Sequence, residues 1–93
     1  MATITFFTKS CCPLCDSAWF VVRKLGDRLD VTIDRLDITD HGNESWFALY
    51  ANDIPVIHLN GVEVMKHRAN EGRLRQLIDA AERGADDRPD AKD

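Results

Sequence analysis

The sequence predicts a small α/β domain with the element order β-α-β-α-β-β-α, and three observations point to it. A β-favouring run from Thr3 to Thr8 leads through Lys9-Ser10-Cys11-Cys12-Pro13-Leu14-Cys15 into a helical segment. The dipeptide Asn60-Gly61 separates a pair of short β runs. Apolar positions Leu74, Leu77, Ile78 and Ala81 then recur at helical spacing. A chain of 93 residues, 44% of them hydrophobic, has material for one compact core and no second domain.

Ile4-Thr-Phe-Phe is short, apolar and β-favouring, which suits a central strand covered on both faces. From Pro13 to Leu25, the residues Leu14, Ala18, Val21, Val22 and Leu25 form one helical stripe, and Gly26 is the expected stop. Val31 to Ile38 mixes β-branched and polar residues, with Asp34 and Arg35 suggesting an exposed sheet edge. Thr39-Asp-His-Gly-Asn carries turn and cap residues, and Glu44 to Ala51 follows as a short helix.

Pro55-Val-Ile-His-Leu and Val62-Glu-Val-Met flank Asn60-Gly61, whose residue types supply the paired positive φ values of a type I′ hairpin turn. Asn70 is the expected cap of the last helix, and Gly84 its end. The domain is therefore expected over residues 1–84, with a disordered acidic tail over 85–93. Four acids and two bases from Asp86 to Asp93 contribute −2 of the net charge of −4.

A mildly acidic chain does not invite a nucleic-acid backbone. Met1-Ala-Thr-Ile-Thr lacks a basic leader region and no apolar run has the length of a membrane span, so a cytoplasmic location and no membrane contact are expected. No coiled-coil pattern or apolar excess argues for assembly, and a monomer is expected.

Three cysteines within five positions are too close together for a disulfide framework and suggest redox or metal chemistry. Cys12 and Cys15 form a C-x-x-C pair. Pro13 suits the first helical position, since its missing N–H would have no intrahelical partner there, and this makes Cys12 the N-cap. A thiol at that place faces unpaired N–H groups and the positive end of the helix dipole, so its thiolate is favoured and its pKa should fall, with Lys9 acting in the same direction. Cys15 lies one turn on, within reach of a disulfide formed at Cys12. Cys11 is expected to point away from that face as a packing or bystander residue, the alternative being a regulatory or second resolving thiol.

Zinc usually takes four ligands, and here one C-x-x-C plus Cys11 is joined only by His41, His58 and His67 on different elements, so no metal is assigned. Trp19, Trp46 and Phe47 are expected to be core or partly exposed. Lys66, His67, Arg68, Arg73 and Arg75 make a basic cluster around the last helix, by default a solvated face; the first three would border the cysteines if the fold is right.

Placed in this order, the chain resembles the glutaredoxin-like branch of the thioredoxin superfamily from Ile4 to about Arg83. Lys9-x-x-Cys12-Pro13-Leu14-Cys15 is similar to the glutaredoxin active-site segment, with Leu14 where an aromatic residue is usual. Ile54-Pro55 before a strand resembles the family's cis-proline loop. The resemblance implies a thioredoxin-like fold: a four-stranded mixed sheet, its first two strands parallel and its last two antiparallel, flanked by helices.

It further implies a thiol-disulfide oxidoreductase with Cys12 as nucleophile and Cys15 as resolving thiol, supported by Lys9 and Pro13. A cis Ile54–Pro55 bond would face Cys12, and the Ile54 backbone would pair with a substrate peptide or glutathione. Disulfide-bearing proteins or small-molecule thiols are then the substrates, with glutathione or a flavoprotein reductase as reductant and no tightly bound cofactor. Glutaredoxins commonly hold glutathione at a Gly-Gly-x-Asp type segment; here that stretch is Met65-Lys-His-Arg-Ala-Asn, leaving Arg68 or the N–H groups beyond Asn70 to bind a carboxylate. The alternative is a non-enzymatic module that binds a metal or senses oxidants through the same thiols.

Overall fold

The computed structural model describes residues 2–83. The elements are β1 (Ala2–Thr8), α1 (Pro13–Arg28), β2 (Val31–Asp37), α2 (Glu44–Tyr50), β3 (Val56–Leu59), β4 (Val62–Lys66) and α3 (Glu71–Glu82). The expected order holds, and the acidic tail and the Gly84 stop lie outside the described residues. The four strands form one sheet in the order β2-β1-β3-β4. β1 pairs in parallel with β2 and antiparallel with β3, and β3 pairs antiparallel with β4.

Side chains alternate across a strand, and β1 shows what each face meets. Ala2, Ile4 and Phe6 are buried with Ala18, Val22 and Leu25 of α1 and Leu74 and Ile78 of α3, so both long helices cover one face. On the other face, Phe7 and Val56 pack with Tyr50 of α2, Cys15, Ile38 and Ile54. Thr3 and Thr5 share that second face and are only partly buried, because α2, with seven residues, covers just the end where Phe7 lies. β2 forms one margin of the sheet, with Asp34 and Arg35 exposed as expected.

Gly26 does not stop α1. The helix runs on to Arg28, where the Leu29 N–H bonds the Leu25 carbonyl at 2.8 Å. A Cβ on Gly26 would collide with the Ile33 side chain, so this glycine allows close approach of α1 to β2. Packing against the sheet has outweighed the helix penalty of roughly 1 kcal/mol for an interior glycine.

The hairpin turn forms as predicted, with φ of 52° at Asn60 and 85° at Gly61. Asn60 is tied twice to β1: its side-chain oxygen accepts from the Thr3 N–H at 2.9 Å and its own N–H donates to the Thr3 carbonyl at 2.8 Å. Asn70 caps α3 by accepting from the Arg73 N–H at 2.9 Å. In α3, Leu74 and Ile78 are buried, while Leu77 and Ala81 sit partly exposed at the margin of the same cluster.

Candidate active site

Strand register gathers four loops at one end of the sheet. Thr8 is paired with Asp37, Phe7 with Val56 and Val56 with Lys66, so the ends of β1, β2 and β4 and the start of β3 lie together. Beyond Thr8 the chain turns at Cys11, which has φ 57°, and Cys12 follows in extended conformation as N-cap of α1 with Pro13 in its first turn. Cys11 is exposed and free.

Cys12 and Cys15 are joined as a disulfide, their Cα atoms 5.1 Å apart. The two sulfurs differ in environment. Cys15 is 2% exposed and lies in the apolar cluster with Phe7, Tyr50, Ile54 and Val56, whereas Cys12 is only half-buried at the edge of that cluster. The Cys15 N–H donates to Cys12 Sγ at 3.1 Å. A helix N-terminus thus points a donor at the outer sulfur, which suits a sulfur that carries negative charge.

The Ile54–Pro55 bond is cis. Ile54 and Pro55 are buried, and the Ile54 backbone lies outside the ladder, which begins at Val56. The Pro55 carbonyl accepts from the His67 N–H at 2.7 Å, so the loop after β4 is fastened to the proline loop. Asp53 lies 4.0 Å from Lys66 Nζ and 3.8 Å from His67 Nε2. Arg68 is exposed next to them, and Lys9 is half-buried at the end of β1. Of the basic cluster, Arg75 pairs with Asp79 within α3, while Lys66, His67 and Arg68 reach the cysteine end.

A hydrogen-bonded group joins three elements and is absent from the sequence reading above. The Tyr50 hydroxyl lies 2.9 Å from His58 Nε2 and donates to Glu63 Oε1 at 3.1 Å. Phe7 sits among these rings, with centroids 4.6 Å from His58, 4.7 Å from Trp46 and 5.2 Å from Tyr50. Burial lowers the His58 pKa, with the Glu63 charge opposing. Burial, and then the bond to Glu63, raises that of Tyr50, which keeps the hydroxyl protonated as a donor. The sequence did hold a signal: counting back from a two-residue turn at Asn60-Gly61 places His58 opposite Glu63, the pairing observed.

Among the described residues, no cluster of three or more His, Cys, Asp or Glu side chains is disposed to hold a metal ion. Trp19 and Trp46 are partly buried, the former against Phe6 at 5.2 Å, while Phe47 is 44% exposed. α2 is too short to bury more than its Trp46 and Tyr50 side.

A mixed sheet with a C-x-x-C pair at the head of its first helix and a cis proline before the third strand defines a protein of the thioredoxin-like fold. The Glutaredoxin-like domain (DUF836) matches residues 3–79, and the chain belongs to that family. It is 32% identical over 75 residues to the Glutaredoxin-like protein YDR286C homolog of Dictyostelium discoideum, covering 76% of this chain and 69% of that one.

Among solved structures, a mutant thioredoxin from Halobacterium salinarum NRC-1 aligns with a TM-score of 0.65 at 21% identity, covering 85% of this chain and 73% of that one. Oxidised thioredoxin O1 from Arabidopsis thaliana gives 0.64 at 23% identity, with 85% and 76% covered. Thioredoxin from Fasciola hepatica gives 0.61 at 25% identity, with 84% and 78% covered.

Proposed function

We propose that this protein is a thiol-disulfide oxidoreductase that works through Cys12 and Cys15. The observation that carries the proposal is the asymmetry of the pair: an outer sulfur with a helix N–H donor at 3.1 Å, and an inner one sealed at 2% exposure. In the reduced protein the Cys12 thiolate attacks a substrate disulfide. A Cys12–substrate bond forms, the substrate S–S bond breaks, and the departing thiolate takes a proton from solvent.

Cys15 then gives up its proton and attacks Cys12 Sγ, closing the Cys12–Cys15 bond and releasing the second substrate thiolate. Two electrons pass from the dithiol to the substrate. Glutathione or a flavoprotein reductase returns them by the reverse exchange. The Ile54 backbone offers pairing to an extended substrate. Lys9 favours the thiolate, Pro13 holds the first turn of α1, and Arg68 is the cation for a substrate carboxylate. Substrates are disulfide-bearing proteins or small thiols, met by a monomer in the reducing cytoplasm.

The test is a pair of variants. Cys12→Ser abolishes reduction of a protein disulfide, and Cys15→Ser accumulates a mixed disulfide at Cys12, visible by mass spectrometry. Undiminished turnover by Cys12→Ser would overturn the assignment.

A further inference from the structure

The end of the sheet that presents the dithiol carries opposite charges on its two sides. On the β2 side, Asp37 closes the strand and Asp40 and Glu44 follow it. On the β4 side, Lys66 closes the strand and His67 and Arg68 follow. The strand order β2-β1-β3-β4 places Cys12, which follows β1, between them. Three interstrand steps of about 4.8 Å separate the margins by about 14 Å, roughly four residues of extended chain.

The basic side is built into the site. The His67 N–H holds the Pro55 carbonyl at 2.7 Å, and Asp53, next to Ile54, lies within 4.0 Å of Lys66 and His67. Asp53 offsets the Lys66 charge. Arg68 has no ion-pair partner among the described residues, so positive charge remains on this side although the whole chain carries −4.

We propose that this margin selects the partner: an extended, disulfide-bearing protein segment with acidic residues on one side of its cysteine, laid over Lys66 and Arg68. The proposal rests on the oxidoreductase reading and names the substrate class of the same site. The acidic β2 margin makes the preference directional. A partner with acids on the wrong side of its cysteine meets Asp37 and Asp40, and one with lysines at the favoured side meets Arg68.

Four short peptides test this, each with its single cysteine as a mixed disulfide with thionitrobenzoate. They carry two glutamates or two lysines, either before or after the cysteine. Pre-reduced wild-type protein is mixed with each, and thionitrobenzoate release is followed in a single turnover at about 20 mM and about 500 mM salt. Rates are scaled to those with neutral dithiodipyridine, which removes any change in the thiol itself.

One glutamate peptide reacts about threefold to tenfold faster than its lysine counterpart at low salt, and the gap closes at high salt. Lys66→Glu/Arg68→Glu reverses the order. Glutamate and lysine peptides reacting alike, or a preference unchanged in that variant, would overturn the proposal. A preserved peptide preference without catalytic turnover of any disulfide would instead refute the oxidoreductase reading alone.

Discussion

Tyr50→Phe removes one oxygen from the side of the sheet that carries both cysteines, and its cost is calculable. The hydroxyl makes two bonds, at 2.9 Å to His58 and 3.1 Å to Glu63, from a residue 6% exposed. Each such bond contributes about 1 kcal/mol net. Glu63 is exposed, so water replaces its lost partner, whereas half-buried His58 is left with a poorly solvated ring nitrogen. The sum is about 1.5 kcal/mol. For a domain of this size that corresponds to about 6–12 °C in Tm.

Urea unfolding at pH 7, followed by far-UV circular dichroism on the oxidised protein, measures it. A double-mutant cycle with Glu63→Ala returns a coupling of about 0.5–1 kcal/mol if the bond operates in solution. A Tyr50→Phe protein within about 0.3 kcal/mol of wild type, or strictly additive variants, would show that water satisfies these groups equally well and that the network does not anchor α2.

Two further predictions concern stability. Because burial depresses the His58 pKa, the unfolded chain takes up this proton first; its stability contribution is complete above the unfolded value of about 6.5 and is lost as pH falls through it toward the folded value. The urea midpoint therefore falls between pH 7.5 and 5, and His58→Gln flattens that dependence. Gly61→Ala destabilises by about 1 kcal/mol, because φ is +85° and nothing lies within 4 Å of the added Cβ, so the cost is backbone strain alone. An unchanged midpoint would show that the turn relaxes freely.

Local patterns make most of this architecture legible in the sequence. Pro13 after Cys12 located the start of α1, Asn60-Gly61 located the hairpin, and Asn70 located the start of α3, because each acts through its own backbone and needs no distant partner. Gly26 misled for the complementary reason. Its role is set by Ile33 on another element, and a glycine kept for close approach looks the same in sequence as one that ends a helix. The cysteine pair was legible through spacing, but the different burial of its two sulfurs depends on Ile54, Tyr50 and Val56 arriving from α2, its loop and β3. The Tyr50–His58–Glu63 group was half-legible, since hairpin register gives His58 and Glu63 while nothing local gives Tyr50.

The division of the core explains where a change at the dithiol is felt. The larger cluster joins β1 and β3 to α1 and α3 and contains neither cysteine. The smaller one holds Cys15 at its centre and Cys12 at its edge, together with Ile54 of the proline loop and Tyr50, the end of the network that reaches β3 and β4. The inner sulfur is packed only against those residues, while α1 is seated through Ala18, Val22 and Leu25 on the opposite face. The helix that presents the outer sulfur thus has a footing that includes neither sulfur. A change at the inner sulfur therefore falls first on Tyr50 and Ile54, which share its cluster.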